Sequence, residues 1–123
     1  MYPSGSWEGF WQQDGWGRQP MKSFQLHFQN GTIKGGGIDV IGAFSIFGEY
    51  DPSRGSLEFA KKYHQRHSVL YSGVPDGEGG IVGTWLIQSD FGSTSGPFGL
   101  KPVFKKGEFD DTIREIGPTK GDQ

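Results

Sequence analysis

Short runs of this chain alternate apolar with polar residues, and almost every gap between the runs carries Gly, Asn, Asp or Pro. Phe24, Leu26 and Phe28 precede Asn30-Gly31. Phe44, Ile46, Gly48 and Tyr50 precede Asp51-Pro52-Ser53-Arg54-Gly55. A period of two puts alternate side chains on one face of an extended strand; a helix repeats a face about every 3.6 residues. The pattern predicts strands over 6–13, 21–29, 32–40, 43–50, 56–64, 68–74, 80–88 and 97–103. Asn30-Gly31 is the strongest hairpin signal, because a type I′ turn needs positive φ at both central residues.

Short turns between successive strands favour a meander over a Greek key. Closing the meander into a barrel removes the exposed edges on which sheets aggregate. The expected fold class is therefore all-β: an eight-stranded antiparallel up-and-down barrel over residues 1–104. A tail over 105–123 would be partly disordered, with one or two helical turns at 110–116. Asp14-Gly15-Trp16-Gly17-Arg18-Gln19-Pro20 is expected to be a loop long enough to act as a flap. Gly35-Gly36-Gly37 is expected to give a sharp coil or a bulge.

The 123 residues suit one domain, and hydrophobic residues make up only 33% of them. Aromatic residues, at 15%, offset this, since each buried ring removes roughly 150–250 Å² from water. The formal charge of −2 has no long block of one sign, so a nucleic-acid partner is not expected. Cysteine is absent, which excludes disulfides and thiolate metal sites. No apolar run approaches the ~20 residues of a membrane-spanning helix. The first residues carry no basic stretch followed by an apolar one. The chain is accordingly expected to be cytoplasmic, with no membrane partner and no cofactor.

Gly5-Ser6-Trp7-Glu8-Gly9 on the first strand, Gly48-Glu49-Tyr50 ending the fourth and Gly83-Thr84-Trp85 on the seventh resemble the avidin-like and lipocalin-like (calycin) barrels. The resemblance covers residues 5–103 as architecture. It implies a Trp that closes the barrel base or lines its cavity, and a small-ligand site in the barrel mouth. The residues with which avidins hold biotin do not map onto this chain position by position; the lack of cysteine excludes the disulfides of secreted lipocalins, and a signal peptide is not expected.

Polar residues in the inward phase mark where chemistry would sit. Tyr50, Lys61, Tyr63 and Tyr71 share the phase of core residues on the fourth, fifth and sixth strands. Lysine is almost never fully buried unless paired, so Lys61 should meet Asp39, a tyrosine oxygen or an anionic ligand. The competing reading is a satisfied internal network, or a strand end from which Lys61 snorkels to water. Trp7 and Trp85 read mainly as core, with Trp85 also a candidate lining residue. Trp16, between two glycines in a loop, is a candidate contact residue on a flap.

His64 and His67 straddle a turn without a third ligand, so no metal site is expected. Asn30-Gly31-Thr32 fits a glycosylation acceptor, but the hairpin turn explains it. Gly35-Gly36-Gly37 does not complete a phosphate-binding glycine motif, because residue 40 is Val. Asp110 and Asp111 are adjacent, hence on different helix faces, and do not form an acid–base pair.

The expected function is non-enzymatic binding of a small apolar or amphipathic molecule in the barrel mouth. The alternative is a protein-interaction or homo-oligomerisation module that uses the outer barrel face. Phe10, Phe47, Leu70, Val82 and Leu86 fall in the outward phase there, and Leu70, Val82 and Leu86 are expected to form one patch.

Overall fold

A computed structural model describes residues 2–64 and 67–104 of the chain. The strands are β1 (Gly5–Gln13), β2 (Gly17–Gln29), β3 (Thr32–Ile38), β4 (Ala43–Tyr50), β5 (Leu57–Tyr63), β6 (Ser68–Pro75), β7 (Ile81–Ser89) and β8 (Gly92–Pro102). Each pairs antiparallel with the next, and β8 returns to β1, closing the barrel in simple meander order. The closing seam pairs Trp7 with Pro102 and Trp11 with Phe98. The expected tail and helical turn lie outside the described residues.

Meander order sends alternate hairpins to opposite ends. The β1–β2, β3–β4, β5–β6 and β7–β8 connections share one end; the other three lie at the opposite end. Asn30 and Gly31 adopt φ of 52° and 80°, the left-handed pair a type I′ turn demands.

The inward face follows the alternation: Phe44 and Ile46 on β4, Leu57, Phe59, Lys61 and Tyr63 on β5, Val69 and Tyr71 on β6. β2 breaks the rule. Trp7 pairs with Phe24 but Gly9 pairs with Met21, so β2 carries an extra residue there. Such a bulge shifts the phase, and Met21 is buried alongside Phe24 and Leu26 while Lys22 and Ser23 are both exposed.

Three local expectations are corrected. Residues 14–20 do not form a flap: β1 and β2 are joined by a tight turn in which the Trp16 amide donates to the Gln13 carbonyl at 3.0 Å, and β2 begins at Gly17. β8 begins at Gly92 rather than near Pro97. Both segments are poor in β-branched and aromatic residues, yet backbone pairing needs neither. Gly35-Gly36-Gly37 pairs regularly with Ile46, Ser45 and Phe44, without a bulge against β4.

One end of the barrel is sealed. Tyr2 folds beneath it and its ring meets those of Trp7, Phe28 and Tyr50, with centroids 5.2–6.4 Å apart. The Tyr2 hydroxyl donates to the Gly55 carbonyl at 2.5 Å, and the Trp7 indole N–H donates to the Pro3 carbonyl at 2.9 Å. Both polar handles are thus satisfied within the plug, as buried Tyr and Trp require.

Candidate functional site

The opposite end is open. A cavity of about 530 Å³ enters the barrel there, within the size range of small-molecule sites. Two unlike walls face each other across it. Trp11 of β1 and Trp85 and Ile87 of β7 make an apolar wall; Asp39, Lys61 and Tyr63 make a polar one, and Val69 and Tyr71 of β6 lie between them.

The apolar wall is fixed by an aromatic pair. Trp11 and Trp85 meet edge to face at 5.9 Å, and the Trp85 indole N–H donates to the Gln12 carbonyl at 2.9 Å. That bond crosses β8 at Gly96, the register partner of Trp85. A Cβ on Gly96 would stand 2.9 Å from the indole nitrogen and 2.1 Å from the Gln12 oxygen. The missing side chain at 96 is therefore what lets the indole lie across the strand.

The polar wall is built from β5 and the β3–β4 loop. Lys61 and Tyr63 stand two residues apart on β5, hence on the same inward face. Asp39 follows β3, where its loop turns back on itself: the Asp39 amide donates to the Gly42 carbonyl at 3.0 Å and the Gly42 amide to the Asp39 carbonyl at 3.1 Å. Asp39 Oδ1 accepts from the Ile41 amide at 2.9 Å, which aims Oδ2 into the barrel. Oδ2 accepts from Lys61 Nζ at 3.0 Å and from the Tyr63 hydroxyl at 2.5 Å.

Lys61 is only 3% exposed. Its ammonium also lies 4.3 Å from the centre of the Phe44 ring and 5.0 Å from that of Tyr63, within cation–π range. Burial pulls the Lys61 pKa below its ordinary value, opposed by the Asp39 carboxylate. Burial pushes Asp39 the other way, but the hydrogen bonds from Tyr63, Lys61 and the Ile41 amide outweigh it and hold the carboxyl below its ordinary range. Both tyrosines are raised, Tyr63 by burial and its bond to Asp39, Tyr71 by burial and the nearby Asp39 charge.

Two groups keep donors to spare. An ammonium has three N–H groups, and Asp39 takes one. Tyr71 is buried against Phe59 and Phe98 and lines the cavity; among the described residues its hydroxyl has no hydrogen-bond partner. A molecule in the cavity would meet hydrogen-bond donors on one side and indole faces on the other.

Asp39, Lys61, Tyr63, Tyr71 and Trp85 are thus brought together at the open end. Two candidates are not. Tyr50 has the inward phase but belongs to the sealed end, packed on Tyr2 and Phe28. Trp16 stands out into solvent at the tip of its turn and does not line the cavity. Trp11, Val69, Ile87, Gln13 and Gln19 were missed as lining residues. The parity of the hairpins, which assigns each strand end to one mouth or the other, was the signal for them.

His64 Nε2 lies 3.3 Å from Ser45 Oγ outside the barrel, whereas His67 packs on the Tyr63 ring at the cavity rim. Phe47, Leu70 and Val82 are exposed and Leu86 is half-buried. Leu70 and Leu86 are direct partners, but Val82 sits beside Val74, separated from that pair by the Ser72–Thr84 row. The expected single patch is therefore two.

No known family model, curated protein or solved structure matches the chain.

Proposed function

We propose that the barrel is a non-enzymatic binding protein for a small amphipathic molecule held at its open end. The observation that carries this reading is a buried lysine with donors to spare, set across a cavity from paired indoles. The ligand's acceptor group lies against Lys61 and the Tyr71 hydroxyl, and its apolar body against Trp11, Trp85 and Ile87. Lys61 is asked only to donate hydrogen bonds and charge. The kinship with avidin-like and lipocalin-like barrels belongs to this proposal; meander closure and the buried Trp7 at the sealed end support it.

The test is a fluorescence titration with 8-anilinonaphthalene-1-sulfonate, whose aromatic body and sulfonate match the two walls. Saturable binding, weakened about tenfold by Lys61→Met, is expected; this corresponds to ~1.4 kcal/mol, the scale of one hydrogen bond to a charged group. Equal binding by wild type and Lys61→Met removes the reading.

A second reading has its own observation. Phe47, Ala60, Leu70 and Leu86 are register partners in one row across β4 to β7 on the outer face. A contiguous apolar row on four strands suits burial against a second copy. Light scattering on the eluting species decides it: a dimer that Leu70→Lys dissociates supports the row as an interface, and a strict monomer at all concentrations excludes it.

A further inference from the structure

The two ends of the barrel differ at their turns. At the sealed end the tips are Asn30-Gly31, Asp51-Pro52-Ser53-Arg54 and Asp76-Gly77-Glu78, which carry no large apolar side chain; the exposed Val74 and Phe104 at that end lie off the tips. At the open end, Trp16 tips the β1–β2 turn and is 69% exposed. Val40 tips the β3–β4 loop at 102%, flanked by exposed Ile38 and Ile41, and Phe91 tips the β7–β8 turn at 100%. Single exposed apolar residues are ordinary on any surface. Their placement on three separate hairpins around one cavity mouth is not.

Each prong is held in place. Gln19 Nε2 donates to the Trp16 carbonyl at 2.8 Å. Asp39 Oδ1 fixes the loop beneath Val40 through the Ile41 amide. Ser89 Oγ accepts from the Phe91 amide at 3.2 Å. Trp16 and Phe91 project from braced turns clear of the cavity, whereas Val40, also exposed, stands on its rim among the lining residues.

We propose that the open end docks on a lipid bilayer, inserting Trp16, Val40 and Phe91 at the headgroup boundary so that the cavity mouth faces the lipid. The prongs are separated by polar rim residues, among them Gln13, Asp14, Gln19 and Asp90. A protein partner would need a continuous apolar area to fill; a fluid interface closes around isolated prongs. Indole and phenyl rings at a water–hydrocarbon boundary are favourable for the same reason that they gather at membrane interfaces.

Charge agrees with this orientation. On the sealed half, away from the proposed contact, Glu8, Glu49, Asp51, Glu58, Asp76 and Glu78 outnumber Lys34, Arg54 and Lys101, while Arg18, Lys22 and Lys62 lie near the mouth. Asp14 and Asp90 on the tips keep the attraction modest, so the apolar prongs carry most of the affinity. The expectation of no membrane partner rested on the lack of a spanning segment, and surface docking needs none. An apolar ligand passing between bilayer and cavity would then avoid water.

The test needs no ligand, so it stands apart from the cavity reading. The protein is floated with vesicles of phosphatidylcholine alone and of phosphatidylcholine mixed with phosphatidylserine. Flotation with both is expected, stronger on the anionic vesicles. Brominated phosphatidylcholine should quench tryptophan emission, and Trp16→Phe should lose the quenched component. The triple variant Trp16→Ser, Val40→Ser, Phe91→Ser, altered only at exposed tips, should keep the wild-type near-ultraviolet dichroism of the core while its partitioning falls at least about tenfold. The proposal is overturned if the wild type stays soluble with both vesicles, or if the triple variant floats equally. It is also overturned if the prongs prove to hold two copies together, seen as a wild-type dimer that the triple variant dissociates without any vesicle binding.

Discussion

At the scale of single residues, Lys61 and Asp39 are unequal partners. The Lys61 side chain is 4% exposed and that of Asp39 25%, at 3.0 Å separation. Removing one member of a buried pair strands the other, at a cost of ~3–5 kcal/mol when the survivor cannot reach water. Asp39 is the more exposed of the two and so is better able to keep its hydration. Asp39→Ala should therefore destabilise the barrel by about 3 kcal/mol, and Lys61→Met, which replaces the amine with apolar volume, by clearly less. Urea unfolding of the two variants measures this; the reverse order would mean that Lys61 reaches solvent in the native state.

The raised tyrosines give an alkaline signature. A group whose pKa is higher in the folded chain than in the unfolded one contributes stability below its ordinary value, here 10.0, and that stability drains as pH rises through the folded value. Lys61, lowered by burial, acts with the opposite sign as pH approaches its ordinary 10.5. The wild type should lose stability above about pH 10, and Tyr71→Phe should lose less over the same window. Thermal midpoints of both proteins between pH 8 and 11 check the difference; parallel curves would show that Tyr71 titrates as it does in the unfolded chain.

At the scale of elements, the strand period read directly from sequence placed Lys61, Tyr63 and Tyr71 inside, because a lysine in phase with Leu57 and Phe59 has nowhere else to point. Phase alone does not say which end of the barrel a residue occupies, and for that reason Tyr50 was grouped with them. The β2 bulge was invisible too: Met21 is buried only because one extra residue flips the phase between it and Phe24. The starts of β2 and β8 went unread because Gly17, Arg18 and the run from Gly92 to Gly96 pair through the backbone, with no apolar alternation to announce them. Asp39 was legible only as an acceptor that Lys61 would need, since loop geometry brings it there.

Gly96 belongs to this scale as well. An added methyl would meet both the Gln12 carbonyl and the Trp85 indole. Gly96→Ala should cost ~1–3 kcal/mol by overpacking and break the Trp85–Gln12 hydrogen bond. The check is the Trp85 indole N–H resonance, which should move sharply, together with the unfolding midpoint. An unmoved resonance would mean that β8 yields and the apolar wall does not depend on a glycine there.

At the scale of the whole molecule, the barrel has two unlike ends. One is sealed by Tyr2, Trp7, Phe28 and Tyr50; the other holds a cavity, a buried ion pair and donors that are unpaired among the described residues, with apolar tips around it. Closure by the β1–β8 seam keeps these ends apart and leaves the outer row of Phe47, Leu70 and Leu86 as a third surface. The proposed ligand sits at the open end. The most direct measurement is a nuclear magnetic resonance titration of isotope-labelled protein with 8-anilinonaphthalene-1-sulfonate. Shifts should concentrate on Ile38, Val69, Ile87 and the Trp85 indole, and leave Trp7, Tyr50, Leu70 and Val82 in place. Shifts concentrated on Leu70 and Leu86, or none at the cavity, would contradict it.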